Sequence, residues 1–271
     1  MSAVKDAKRV VVKVGTSTLT YENGRLNLRR VESLCRVLSD LKNSGREIVL
    51  VTSGAIGVGA GHLGLKERPR DIGGKQAAAA VGQCELMYIY DKRFGEYGHI
   101  TAQVLLTRDV VEDPVRKGNV VNTLTRLLEY GTVPIINEND TVAVDEIEFG
   151  DNDTLSAMVA ELIGADALVL LTDIDGLFDA DPHVHADAHR IPVVHEIDDS
   201  IRALAGGAGS KRGTGGMVTK LNAAQIAMEA GIPAVIMNGA QPFRLYDLFD
   251  GRPRGTLFEP ARSTNNEGKA E

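Results

Sequence analysis

Every β-branched run in this chain breaks off at a glycine or at a knot of polar residues. Arg9-Val-Val-Val-Lys-Val14 stops at Gly15-Thr-Ser-Thr18, and Glu47–Thr52 runs into Ser53-Gly-Ala55. Val133–Asn137 runs into Glu138-Asn-Asp140, and Ala167–Leu171 into Thr172-Asp-Ile-Asp-Gly176. The runs are continuously apolar rather than alternating, the pattern of strands covered on both faces. Helix-period segments lie between them. Residues 28–43 carry Val31, Leu34, Val37, Leu38 and Leu41 on one stripe, with Gly45 as the stop. Further strands are expected at Ile100–Thr107 and Ala234–Met237, and helices after Pro114, over Thr154–Ile163 and over Met217–Ala230. Strands alternating with helices predict an α/β fold with a mostly parallel central sheet. Val142–Phe149 alternates apolar and acidic residues and predicts an exposed antiparallel hairpin, whereas the polar end of the chain predicts a disordered tail.

Composition narrows the function classes. Thirty basic and thirty-seven acidic residues leave a net charge of −7, so no basic footprint points to nucleic acid or to anionic lipid. No apolar run approaches the ~20 residues of a membrane span. The opening residues lack the apolar stretch of a secretory signal, and the expectation is a cytoplasmic protein. Cys35 and Cys84, both in helix-like segments, fit a reducing compartment with no structural disulfide. Glycine is over-represented at 29 of 271 residues, about a tenth against a usual ~7%, and it clusters at the strand ends.

Open parallel sheets bind ligands at the carboxyl ends of their strands, where six of these clusters converge. Lys13 lies inside an otherwise apolar strand. A snorkelling edge lysine would explain it, but so would an ammonium beside a ligand phosphate, with Gly15 opening the backbone amides to the anion. Gly213-Thr-Gly-Gly216 followed by Lys220 makes a second such place: small residues open a helix N-terminus and a lysine emerges one turn in, although a flexible loop with a surface lysine has the same pattern. Gly150-Asp-Asn-Asp153 puts three carboxylate or amide side chains at a helix start. Capping needs one. The excess points either to a Mg²⁺ neighbourhood or to hydrogen bonds with substrate and lysines.

Other matches carry less. Gly59-Ala-Gly-His-Leu-Gly64 fits G-x-G-x-x-G but sits past the strand end inside a helix, so packing is the expected role of its glycines. There is no G-x-x-x-x-G-K-[ST], and the acidic loop after Leu171 lacks EF-hand spacing. His183, His185, His189 and His195 lie in a Pro- and Ala-rich connection and read as a solvated loop rather than a zinc site.

In this order the clusters resemble the amino acid kinase family. The residues that carry the resemblance are VVKVGTS (11–17), VTSGAIGVG (51–59), KQAAAAVGQ (75–83), QVLLTRDVVED (103–113), INENDTVAVDEIEFGDNDTLSAMVA (136–160), LLTDIDGLFDADP (170–182) and GTGGMVTKLNAA (213–224). Within the family the stretch INENDTV…FGDND is similar to the members that phosphorylate the glutamate side chain in the first step of proline biosynthesis. It separates them from members acting on acetylglutamate, aspartate or UMP.

The resemblance implies a three-layer αβα sandwich. Residues 1–260 would form one domain, with an amino-acid lobe of about 1–165 and an ATP lobe of about 166–260, followed by a 261–271 tail. It implies that Lys13 and Lys220 contact the transferring phosphoryl group, with Asp153 orienting them. Ser53, Asp140 and Asn152 would hold glutamate. Lys13, Gly15, Thr172, Asp173 and the loop Thr214, Gly215, Gly216, Met217, Val218, Thr219 and Lys220 would line the ATP site, with Mg²⁺ riding on the phosphates and no metal held by protein ligands. It further implies feedback inhibition by L-proline, a homo-oligomer (dimer or tetramer) and a glutamate-5-semialdehyde dehydrogenase as downstream partner. Many bacterial members continue into a C-terminal PUA domain, and the chain is similar to the short form. Two alternatives stay beside this: a kinase of the same fold acting on another carboxylate or carbamate, and a non-catalytic amino-acid or nucleotide sensor.

Overall fold

The computed structural model describes residues 2–21, 23–142, 152–182, 184–185, 187–205, 216–252 and 254–260. In chain order the elements are α1 (Ser2–Lys5), β1 (Arg9–Val14), α2 (Thr16–Leu19), α3 (Leu28–Asn43), β2 (Glu47–Val51), α4 (Ala55–His62), α5 (Ile72–Gly95), β3 (Thr101–Leu106), α6 (Pro114–Glu129) and β4 (Val133–Glu138). They continue with α7 (Asn152–Leu162), β5 (Ala167–Thr172), β6 (Val193–Val194), α8 (Asp199–Leu204), α9 (Met217–Glu229), β7 (Ala234–Asn238), α10 (Arg244–Phe249) and β8 (Thr256–Phe258). The strands form one sheet in the order β3-β4-β2-β1-β5-β7-β8-β6.

β1 is the axis of this sheet. It pairs in parallel with β2 on one side and β5 on the other, so Lys13 sits opposite both Val51 and Leu170. β7 and β8 pair antiparallel, and β6 and β8 form a short parallel edge. The expected mostly parallel sheet is present. The edge strands β6 and β8, two and three residues long, were too short to show a period in the sequence.

Side-chain alternation along the buried strands splits the interior into two cores. Val10, Val12 and Val14 pack with Leu34, Leu38, Leu86, Tyr90, Phe94 and Leu248, under α3, α5 and α10. Val11, Val49, Leu168 and Leu170 pack with Leu124, Val159, Leu221 and Ala224, under α6, α7 and α9. Helices therefore cover both faces of the sheet, which is the three-layer sandwich. Local chemistry sets the helix starts. The side chain of Asn27 accepts from Arg30 N at the start of α3, and that of Asp71 from Gly74 N at the start of α5. Asp113 accepts from Val115 N ahead of α6, with Pro114 in the first turn.

Helix α5 differs most from the sequence expectation, which placed Cys84 in a helix-like segment but did not bound it. Its 24 residues run through Ala77–Ala80 and Gly82, where small side chains blur any apolar stripe. α7 begins at Asn152, two residues before the expected Thr154, because Asn152 and Asp153 form its first turn. Most of the expected 142–149 hairpin, the expected tail at 261–271, His183, Gly150, and the loop residues Thr214 and Gly215 lie outside the described residues.

Candidate active site

Alternation along β1 turns Lys13 toward the face covered by α7 and α9, and its register fixes it one residue below the strand end. Asp153 projects from the first turn of α7 and Lys220 from the first turn of α9. The three side chains meet. Lys13 Nζ lies 2.6 Å from Asp153 Oδ1, and Lys220 Nζ lies 3.1 Å from Asp153 Oδ2. The Thr219 hydroxyl donates to Oδ2 at 2.9 Å, and Lys220 also donates to the Gly216 carbonyl at 3.4 Å. Asp153 is fully buried, and Lys13 and Lys220 are each only 7% exposed.

Among the described residues two ammonium groups face one carboxylate in a place nearly closed to water, where an anion is attracted far more strongly than at the surface. Burial alone would push the Asp153 carboxyl up, but the Lys13 and Lys220 ammonium groups on its two oxygens hold it well below the usual carboxylate range. Gly15 borders the same space: a Cβ there would stand 3.7 Å from Lys13 Nζ. Its missing side chain leaves that approach open to a ligand.

On the β2 side of β1, Asn152 is buried and its Nδ2 reaches three acceptors: Thr52 O at 2.6 Å, Asn137 Oδ1 at 2.7 Å and Ser53 Oγ at 3.2 Å. Asn137 Nδ2 donates onward to Gln83 Oε1 at 2.8 Å. The Thr52 hydroxyl and the Tyr90 hydroxyl are 2.8 Å apart, and burial pushes the Tyr90 phenol up, so it remains a neutral hydrogen-bonding group. Asp140 is half-buried just beyond β4. Ser53 and Asn152 are thus directly joined, with Asp140 at the end of the strand that carries Asn137.

On the β5 side, Thr172 is buried and its hydroxyl bonds Asp173 Oδ1 at 3.1 Å, while Asp173 itself is exposed. Asn238, at the end of β7, donates to the Asp173 carbonyl at 3.3 Å. Gly216, Met217 and Thr219 are half-buried and Val218 is exposed, so the opening of α9 faces solvent on the side away from Asp153. His185, His189 and His195 are exposed; His189 and His195 stand near carboxylates of Asp179 and Glu259 at 3.7 and 3.6 Å.

Four residues of this neighbourhood went unassigned from sequence: Thr52, Gln83, Tyr90 and Asn137. Asn137 had a signal, a polar side chain at the end of a fully buried strand. Gln83 stood only as the last residue of the KQAAAAVGQ stretch behind the resemblance, with no role attached, and nothing in the sequence singled out Tyr90.

The profile of the amino acid kinase family matches residues 8–238. A glutamate 5-kinase of Clostridium perfringens is 57% identical over 260 residues, covering 94% of this chain and 97% of its own. A glutamate 5-kinase of Listeria innocua is 54% identical with 94% of each chain covered, and that of Caldanaerobacter subterraneus is 55% identical over 68% of its longer chain. Among solved structures, a UMP kinase from Bacillus anthracis superposes with a TM-score of 0.63 at 18% identity, covering 93% of this chain and 96% of its own. An isopentenyl phosphate kinase of T. acidophilum gives 0.63 at 19%, covering 93% and 100%. At such identities these two share the fold.

Proposed function

The chain belongs to the amino acid kinase family, and from that premise we propose that the activity its relatives are named for is its own: ATP-dependent phosphorylation of the L-glutamate side-chain carboxylate to L-glutamate 5-phosphate. The observation that carries this is the sharing of Asp153 by Lys13 and Lys220. The reaction brings two anions together, and its main demand is cancellation of their repulsion with in-line alignment.

The acceptor carboxylate is already ionised at neutral pH, so no general base is required. One carboxylate oxygen bonds to the γ-phosphorus while the bridging β–γ oxygen bond breaks. The electron pair leaves on ADP, and no proton moves. Lys13 and Lys220 face the charge that builds on the transferring phosphoryl oxygens, and Asp153 keeps both ammonium groups in place. Ser53 and Asn152 hold the amino acid, with Asp140 as the partner of its ammonium. Gly15, Thr172, Asp173 and the segment leading through Thr214, Gly215, Gly216, Met217, Val218 and Thr219 to Lys220 line the nucleotide. The amino-acid side then falls within about 1–165 and the ATP side within about 166–260.

Both oxygens of Asp153 are engaged by ammonium groups, so that carboxylate does not suit a divalent cation. Mg²⁺ fits as a companion of the ATP phosphates, where it supplies charge neutralisation between them. A cytoplasmic location, a homo-oligomer, competition by L-proline at the glutamate site and transfer of the labile acyl phosphate to a glutamate-5-semialdehyde dehydrogenase belong to the same proposal. The test is trapping of the product with hydroxylamine in the presence of glutamate, ATP and Mg²⁺. Glutamyl hydroxamate formed in step with ADP is expected. Aspartate or N-acetylglutamate trapped in preference to glutamate would overturn the assignment. A rate unmoved by millimolar proline would remove the inhibition.

A further inference from the structure

The amide chain beside Asn152 has a direction that the structure settles from one end. Thr52 O is a backbone carbonyl and can only accept, so the Asn152 atom 2.6 Å from it is the amide nitrogen. That nitrogen donates its second hydrogen to Asn137 Oδ1, which turns Asn137 Nδ2 toward Gln83 and requires Gln83 to present Oε1. Both hydrogens of Asn152 are spent on the protein. Its carbonyl oxygen is the side-chain atom left for a ligand, and it suits a donor such as an ammonium.

The last group in the chain, Gln83 Nε2, is buried in a residue only 8% exposed and has no hydrogen-bond partner among the described residues. A buried donor without a partner lowers stability, and an apolar side chain of the same shape would remove that loss, but only by taking the acceptor away from Asn137 Nδ2. Packing therefore does not explain the glutamine. What does explain it is the acceptor at its other end.

We propose that Gln83 is a positioning residue for the amino-acid substrate: by accepting from Asn137 Nδ2 it keeps Asn137 Oδ1 turned toward Asn152, so that Asn137 and the Thr52 carbonyl together hold the Asn152 amide with its carbonyl oxygen offered to the substrate's ammonium. Helix α5 brings it there through contact with α4. A Cβ on the neighbouring Gly82 would lie 1.8 Å from Ala55 O, so only glycine at that position lets Gln83 come so close to β4. The inference rests on the glutamate-phosphorylating reading of the site.

Gln83→Met keeps the volume and removes the acceptor, and Gln83→Leu serves equally if the methionine variant does not fold. Loss of the relay should raise the glutamate KM roughly tenfold, with kcat within about threefold, the ATP KM within about twofold and the melting temperature within a few degrees of wild type, since the partnerless Gln83 Nε2 is removed while Asn137 Nδ2 loses its acceptor. Because Gln83 acts through Asn152, the same substitution in an Asn152→Ala background should change kcat/KM for glutamate less than about twofold. A glutamate KM within twofold of wild type, or a full tenfold loss in the Asn152→Ala background, would overturn the proposal. Failure of the wild-type enzyme to phosphorylate glutamate would overturn the underlying reading instead, so the two failures are told apart.

Discussion

At the scale of single residues the site is a charge balance centred on Asp153. On the proposed mechanism, Lys13→Ala or Lys220→Ala deletes one of the two ammonium groups that face the reacting phosphoryl group. Removal of one transition-state electrostatic partner typically lowers kcat by about 10²–10³. A loss of that size with a modest change in glutamate KM is expected for each variant in steady-state assays. Turnover within threefold of wild type for both would take them out of the mechanism. Asp153 also ties stability to acid. Its folded-state carboxyl is held down, so its contribution is complete above the unfolded carboxylate value of roughly pH 4 and is lost as pH falls through the lower folded value. Asp153→Asn mimics the protonated side chain. Its melting temperature should therefore lie below wild type at pH 7, and the gap should narrow as pH drops below about 4; a gap independent of pH would show that the carboxylate charge is not what stabilises the fold. Lys13 and the Gly150–Asp153 excess were visible in the sequence as oddities. Their meeting was expected through the family resemblance alone, because residues 13, 153 and 220 come from three separate elements and no local pattern joins them.

At the scale of elements, the crossing of α4 and α5 decides how near Gln83 comes to Asn137 on β4. A Cβ at Gly59 would lie 1.8 Å from Ala78 O, and one at Gly82 2.6 Å from Gly59 N. Of the glycines in the G-x-G-x-x-G match, Gly59 serves packing by letting two helix backbones touch, Gly61 packs against Gly24, and Gly64 lies past the end of α4 at a φ of 67° with nothing within 4 Å of where a Cβ would stand, so the expected packing role holds for the first two only. Gly82→Ala or Gly59→Ala forces the helices apart and should cost at least roughly 1–3 kcal/mol, read as a fall of several degrees in melting temperature. The glutamate KM should rise with it, because Gln83 moves away from Asn137. Gly95→Ala, at the end of α5 with nothing within 4 Å of its Cβ, is the control and should be neutral. The same smallness of side chain that permits this crossing erased the helical period from the sequence and left α5 unbounded there. By contrast α3, with its stripe of Val31, Leu34, Leu38 and Leu41 over buried strands, was legible from end to end.

For the whole molecule, the decisive feature is that β1 belongs to both cores. Val10, Val12 and Val14 face one layer and Val11 faces the other, and the strand is hydrogen-bonded to β2 and β5 at once. The proposed amino-acid side and nucleotide side lie on opposite flanks of this one strand, so they should unfold together. Urea denaturation followed by far-UV circular dichroism should show a single transition, and Val11→Ala and Val12→Ala should each shift its midpoint downward without splitting it. Two separated transitions would mean that the flanks are independent folding units. The sequence by itself determined the α/β class, the strands β1 to β5 and β7, the helices α3, α6, α7 and α9 and the polar rim at the strand ends, because burial pattern, capping and turn chemistry act over a few neighbouring residues. Tertiary structure decided the distances at which Lys13 and Lys220 share the Asp153 carboxylate, that α5 presses Gln83 against Asn137, and that Asn152 is left with its carbonyl oxygen to offer. Those are distances between elements far apart in the chain, set by how helices seat on a twisted sheet, and no local pattern encodes them.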